Sequence, residues 1–202
     1  MHYDFYVYCL IDPDDNIPFY VGKGRLNRMY KHEKDVKNMN VLGIDLSSRI
    51  CGYAISENGK IIDAGFIDIS KYDAYKDKAN AIINILKNKL FDKIQVEETL
   101  ANFSFGRTSQ QTILKLAMNK AVICYILEEE FKIKISSINV NTMRKKLFGK
   151  CRIKGIKSKD FVKQELESLI PDVVNFTVKN KKGNWDERNG DMYDAIVASL
   201  FK

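Results

Sequence analysis

The chain has 202 residues, of which 45% are hydrophobic and 29% are charged, a balance typical of a folded globular protein rather than a disordered one. No apolar run in the sequence approaches the roughly 18 residues that span a bilayer, so we expect no membrane segment. The 33 Lys and Arg residues exceed the 26 Asp and Glu residues, and the resulting net charge of +7 favours a polyanionic partner, either nucleic acid or an anionic membrane surface.

Residues 1–38 predict a β-hairpin with a helix after it. Aromatic and apolar residues alternate over residues 5–8, a second such run covers residues 18–22, and the turn-forming sequence DPDDN separates the two. The polar, basic stretch at residues 28–38 predicts the helix.

Three consecutive antiparallel strands are predicted after residue 40, at residues 41–45, 50–55 and 60–69, with Asn58-Gly59 as a hairpin turn. Helices at about residues 73–89 and 109–130 then alternate with strands at 94–97 and 133–140, and the last helix covers about 189–201. The order βββαβαβα predicts an α/β fold whose mixed five-stranded sheet, three antiparallel strands followed by two parallel ones, is flanked by helices.

Acidic residues stand at the ends of these predicted elements. Asp45 ends the first strand after residue 40, and Asp191 and Asp194 are three residues apart on the last helix, so their side chains share one face. Glu97 ends the fourth strand and Glu98 follows it directly, and strand alternation sends only one of them towards the site.

A divalent cation is the usual partner of such carboxylates. A buried carboxylate costs several kcal/mol unless something offsets its charge. Two Mg²⁺ ions about 4 Å apart are bound by oxygen ligands, and together they activate a water molecule for attack on a phosphodiester. Such a site needs no histidine or cysteine. This suits the chain, because His2 and His32 both lie near its N-terminus and its four cysteines are scattered, which excludes a His-dependent triad in the main body and argues against a zinc site.

The stretch NVNTMRKKLFG at 139–149 is more similar to the phage and poxvirus branch of the RuvC-like Holliday junction resolvases than to the bacterial proteins. Three blocks of sequence resemble this family, which belongs to the RNase H-like superfamily. They are VLGIDLSSRICGYAI at 41–55, IQVEETL at 94–100 and GDMYDAIVASL at 190–200. The resemblance covers about residues 40–202. It departs from the family pattern at Leu46-Ser47, where Pro-Gly is usual.

The resemblance implies an RNase H-like fold and a homodimer that resolves four-way DNA junctions by paired symmetric nicks. It implies two Mg²⁺ ions per active site, with Mn²⁺ as a substitute. It selects Glu97 over Glu98, so the implied ligands are Asp45, Glu97, Asp191 and Asp194.

Two segments are predicted to contact the DNA. In the loop after the Glu97 strand, Phe103 or Phe105 is either a wedge between bases or a core residue, and Arg107 is a candidate phosphate contact. A basic segment follows the fifth strand, and its charge suits phosphate binding. Its members are Arg144, Lys145, Lys146, Lys150, Arg152, Lys154, Lys157 and Lys159.

The N-terminal residues resemble the start of GIY-YIG nucleases, with Tyr8 and residues 20–22 as the two halves of the motif. We expect residues 1–38 to be a truncated appendage without catalysis of its own, and residues 39–202 to be the nuclease domain. The scattered cysteines and the absence of a signal-like N-terminus favour the cytoplasm of a bacterium or of a phage-infected host.

Three other functions remain open from the sequence. They are a less selective flap, fork or branched-DNA nuclease, a non-catalytic DNA-binding protein, and a nucleotide-binding protein of the actin and sugar-kinase type, whose first phosphate loop the GID-x-S-S-R stretch also resembles. Cutting rates on junction, flap and duplex DNA identify a less selective nuclease. A DNA-binding protein would tolerate loss of the acids, and a nucleotide-binding protein would bind ATP.

Overall fold

The computed structural model describes residues 6–11, 18–24, 39–98 and 110–201. The chain divides into two compact units, Met1–Met39 and Asn40–Lys202. In the first unit, strands β1 (Tyr6–Ile11) and β2 (Pro18–Gly24) pair antiparallel, which confirms the predicted hairpin. The helix predicted at residues 28–38 lies outside the described residues.

The second unit is built on a five-stranded sheet. Strands β3 (Asn40–Leu46), β4 (Ile50–Glu57) and β5 (Lys60–Asp68) are antiparallel neighbours. Strand β6 (Lys93–Glu97) is parallel to β3, and β7 (Ile135–Ile138) is parallel to β6, which gives the order β5-β4-β3-β6-β7. The predicted sheet, three antiparallel strands followed by two parallel ones, is confirmed.

Five α-helices and a 3₁₀-helix are described in this unit. The α-helices are α1 (Tyr75–Leu86), α2 (Gln110–Phe131), α3 (Val140–Phe148), α4 (Ser158–Leu169) and α5 (Asn189–Leu200), and the 3₁₀-helix covers Pro171–Phe176. The predicted strand at 133–140 is shorter than expected, because the Asn139 side chain accepts hydrogen bonds from the amides of Asn141 and Thr142 and so begins α3.

Alternation along β3 separates two hydrophobic cores. Leu42 and Ile44 pack on one face of the sheet with apolar residues of α1 and α2, including Ile82 and Ile123. The other core joins Ala54 of β4 to apolar residues of α3, α4 and α5. Because side chains alternate along a strand, Gly43 and Asp45 lie on the face that α5 covers.

Candidate active site

The site lies where β3 and β6 end side by side. The parallel register pairs Gly43 with Gln95 and Ile44 with Val96, so Asp45 and Glu97 follow as neighbours on one face of the sheet. Ile94 and Val96 face the core on the opposite side. Glu98 is exposed, and its carboxylate accepts a long hydrogen bond from Asn139 at 3.5 Å. The register therefore brings Glu97, and not Glu98, to Asp45.

Two glycines allow α5 to lie directly on the sheet. A Cβ at Gly43 would stand 2.1 Å from the carbonyl oxygen of Ala195, and a Cβ at Gly52 would stand 2.1 Å from that of Asp191. Any side chain at these positions would push the helix away. The close approach is what carries the acids of α5 to the ends of the strands.

Asp45, Glu97 and Asp194 come together in space. Each offers a carboxylate oxygen, and the three oxygens all lie within 4.8 Å of one another. Asp191 is also buried, but its carboxylate accepts a hydrogen bond from Lys159 at 2.5 Å. The structure thus groups three of the four predicted acids directly and places the fourth beside them, paired with a lysine.

Burial, with repulsion between the acids added to it, raises the pKa values of these carboxylates. Burial raises the pKa of Asp45 well above its usual range, and the charges of Glu97 and Asp194 raise it further. Burial, followed by the charge of Asp194, raises the pKa of Glu97 to about 7. Burial also raises the pKa of Asp194, although Arg144 opposes this effect. A bound cation would relieve all three effects.

Three basic side chains surround the carboxylates. Arg144 of α3 donates to Asp194 at 2.8 Å and to the Ser158 hydroxyl at 2.6 Å, and both members of the Arg144–Asp194 pair are buried. Lys159 holds Asp191. Lys120 lies on α2, one turn before the buried Ile123; burial lowers its pKa, and the charges of Glu97 and Asp45 oppose that change.

The donor set suits a hard divalent cation. The clustered ligand atoms are all carboxylate oxygens, the type that Mg²⁺ and Mn²⁺ prefer. Although basic side chains lie beside them, burial and the neighbouring carboxylates keep the pKa values of Asp45 and Glu97 raised, so their ionised forms would gain from a cation. The residues present therefore fit a metal site.

The predicted DNA contacts fall into three groups. Phe103, Phe105 and Arg107 lie outside the described residues. Arg144 is buried against Asp194, so in this structure it is not the exposed phosphate contact that the sequence suggested. The remaining members of the basic segment are exposed: Lys145, Lys146, Lys150, Arg152, Lys154, Lys157 and Lys159.

Sequence reasoning did not single out Lys120 or Ser158, nor the pairing of Arg144 with Asp194. Lys120 carried one usable signal, because it stands on the apolar side of α2 at helical spacing from Ile123 and Leu127. Ser158 carried none, since its partner is 14 residues away in the chain.

A family model described as crossover junction endodeoxyribonuclease RuvC matches residues 41–174, more than half of the chain. The chain belongs to the RuvC family. Asp45 and Glu97 lie within the matched range, and Asp191 and Asp194 follow it.

Curated RuvC proteins share about a third of their residues with this chain over the matched segment. The RuvC of Campylobacter lari is 35% identical over 92 residues, which cover 42% of this chain and 55% of that protein. The RuvC of Aliarcobacter butzleri is 32% identical over 100 residues, which cover 46% of this chain and 62% of that protein. The chain therefore spans little more than half the length of the curated relatives it matches.

Solved structures of resolvases share the fold. Thermus thermophilus RuvC in complex with a Holliday junction substrate superimposes with a TM-score of 0.54 at 15% identity, covering 81% of this chain and 92% of that one. The yeast mitochondrial Holliday junction resolvase Ydc2 superimposes with a TM-score of 0.52 at 18% identity, and the match covers 88% of this chain and 84% of Ydc2. The predicted RNase H-like fold is confirmed. Among the described helices, none has the length and apolarity needed to cross a bilayer.

Proposed function

We propose that this protein is a metal-dependent endodeoxyribonuclease that resolves four-way (Holliday) DNA junctions by paired, symmetric nicks. The observation that supports this most is the grouping of Asp45, Glu97 and Asp194 within 4.8 Å in a chain of the RuvC family. The Thermus thermophilus relative with the same fold was solved in complex with a Holliday junction.

The acids are the proposed metal ligands, for two Mg²⁺ ions or for Mn²⁺ in their place. When bound, these ions supply an activated water and stabilise the charge that develops on the leaving oxygen. Asp45, Glu97 and Asp194 are already together, whereas Asp191 joins them only when Lys159 releases it. Arg144 orients Asp194 and balances part of its charge.

The exposed basic segment from Lys145 to Lys159 is the proposed contact with DNA backbone phosphates, since it borders the carboxylates through Lys159. Roles for Phe103, Phe105 and Arg107 as contacts at the junction stay predictions. So do the likeness of the N-terminal unit to GIY-YIG nucleases, its lack of catalysis, the phage-type branch and the cytoplasmic location.

A homodimer follows from paired nicking, which needs two active sites. Helix α2 exposes four apolar side chains at spacings of three and four residues, and these share one face of the helix. They are Leu114, Met118, Val122 and Tyr125. We infer that this stripe, called the α2 stripe below, packs against the same stripe of a second copy.

The direct test compares labelled four-way junction, flap and linear duplex DNA, with Mg²⁺ and with EDTA. We expect Mg²⁺-dependent symmetric cleavage of the junction, loss of cleavage in Asp45→Asn, and full cleavage in Asp73→Asn, which removes an exposed acid elsewhere. Equal cleavage of flap and junction would favour the less selective nuclease. Junction binding by the wild type without cleavage would identify a DNA-binding protein and contradict the proposal.

A further inference from the structure

A cleft of about 560 Å³ opens beside the candidate active site, between the first turns of α4 and the segment that leads into α5. Lys157, Lys159 and Lys163 line it from the α4 side, and Trp185 and Gly190 line it from the other. The cleft is therefore rich in ammonium groups and has one aromatic wall.

Trp185 holds Lys163 in place. The Lys163 ammonium stands 4.1 Å from the centroid of the indole ring, within cation–π range. Tyr193, which is buried, packs edge-on against the same indole with ring centroids 5.2 Å apart. A cation–π contact fixes an ammonium group without cancelling its charge, so Lys163 stays available to an anion.

The charges around the cleft favour Lys163 as its anchor. Among the described residues, no carboxylate lies within ion-pair distance of Lys163, whereas Lys159 is paired with Asp191. Asp160 and Glu187 also line the cleft, but both are exposed, so water screens their charges. Lys163 is half-buried, and its charge is screened less.

Lys159 connects the cleft to the carboxylates. Its side chain passes over Gly190, where a Cβ would stand 2.7 Å from the Lys159 Cδ, and ends on Asp191. A DNA strand that has one phosphate at the carboxylates and follows the Lys159 side chain would bring a neighbouring phosphate to the cleft. A base would not stack there, because the Lys163 ammonium already lies over the indole ring.

We propose that this cleft binds a backbone phosphate of the cleaved strand, next to the scissile one, through the Lys163 ammonium that Trp185 positions. The proposal rests on the proposed function, because it takes DNA as the substrate. It gives Trp185 a positioning role and Lys163 a binding role.

The test measures junction binding without cleavage, in the Asp45→Asn background, by anisotropy of a labelled four-way junction at increasing KCl. Each phosphate contact contributes roughly one to the slope of log K against log salt. Adding Lys163→Gln should reduce the magnitude of that negative slope by about one, and Lys163→Arg should restore the wild-type magnitude. Lys60→Gln, at the opposite end of the sheet, is the matched control and should leave the slope unchanged.

Trp185 is the single tryptophan of the chain, so its fluorescence reports on the cleft without further mutation. Saturating junction should reduce quenching of Trp185 by acrylamide. The phosphate site is wrong, and the nuclease proposal stands, if the junction binds but neither measurement changes. In that outcome Lys163→Gln has the same salt slope as its parent, and the junction leaves acrylamide quenching of Trp185 unaltered. Failure of the Asp45→Asn protein to bind any junction would instead overturn the proposed function, and the phosphate site with it.

Discussion

Gly52 lies directly opposite Asp45 in the antiparallel register of β3 and β4. Paired residues of neighbouring strands point to the same face, so the absent side chain of Gly52 leaves open the space beside the Asp45 carboxylate. The backbone of Asp191 fills that space, 2.1 Å from where a Cβ would stand. A glycine in the sheet therefore sets how closely α5 approaches the acid of β3.

Replacing Gly52 with alanine should damage stability and cleavage together. The new methyl group meets backbone atoms, so α5 must move, and such overpacking costs about 1–3 kcal/mol. We expect that loss in urea denaturation, together with loss of junction cleavage. Gly65→Ala is the control, since its Cβ would meet only side-chain atoms of Tyr53 at 3.0 Å or more. Equal losses in the two variants would contradict this account.

Neutralising Glu97 should stabilise the metal-free protein while removing its activity. The pKa of Glu97 is raised to about 7, which means that its ionised form is unfavourable in the fold at neutral pH. One pKa unit corresponds to roughly 1.4 kcal/mol, so Glu97→Gln should gain about 1–3 kcal/mol of unfolding free energy in EDTA at pH 8.

Glu98→Gln is the matched control for this prediction, because Glu98 is the exposed neighbour that points away from the site. It should change neither stability nor cleavage. Adding Mg²⁺ should raise the melting temperature of the wild type more than that of Glu97→Gln. A Glu97→Gln protein that is less stable than wild type in EDTA would contradict the prediction that the ionised Glu97 carboxylate is unfavourable in the fold.

The stability of the metal-free protein should fall as pH rises from about 4.5 to about 7. Because the folded-state pKa of Glu97 lies above its ordinary value of 4.5, the folded protein binds more protons than the unfolded chain in this window. The contribution of Glu97 to the free energy of unfolding is fully present below pH 4.5 and is lost as the pH rises through about 7. Urea denaturation in EDTA measures it, and Glu97→Gln should show a flatter profile. A wild-type stability that rises across this window would contradict the prediction.

The sheet and the helices α1, α2 and α5 were predictable because each has a local signal. Asn58-Gly59 fixed the β4–β5 hairpin, and the 3.6-residue pattern of apolar positions fixed α1 and α2. Glu97 and Glu98 show where local signals stop. Alternation proves that only one can face Asp45, but choosing between them requires the β3–β6 register.

The cationic part of the site was not predictable, since its contacts join distant positions in the chain. Arg144 reaches Asp194 across 50 residues, and Lys159 reaches Asp191 across 32. In the sequence both residues belong to one basic segment, typical of a solvated phosphate-binding surface. Burial, which the sequence pattern did not reveal, separates Arg144 from its exposed neighbours.

The α2 stripe should control assembly. Met118→Glu places a charge in the middle of the stripe and should convert a dimer into a monomer, as measured by light scattering after gel filtration. Paired nicking should then become single nicking. Leu90→Glu, at an exposed apolar position outside α2, should remain dimeric. A wild type that is monomeric at all concentrations would refute the stripe as an interface.

Arg144 and Asp194 should be strongly coupled in the metal-free protein. Arg144→Gln leaves a buried carboxylate unpaired, and breaking such a pair costs about 3–5 kcal/mol. Adding Asp194→Asn removes the stranded charge, so the double variant should lose less stability than the two single variants together.

Urea denaturation of the four proteins in EDTA gives the coupling energy. Lys150→Gln is the control, because the Lys150 ammonium is solvent-exposed and its pair with the half-buried Glu165 should contribute less than about 1 kcal/mol. Additive losses in the cycle would mean that Arg144 stabilises α3 by packing alone. The position of Asp194 would then depend only on the contacts of α5 with Gly43 and Gly52.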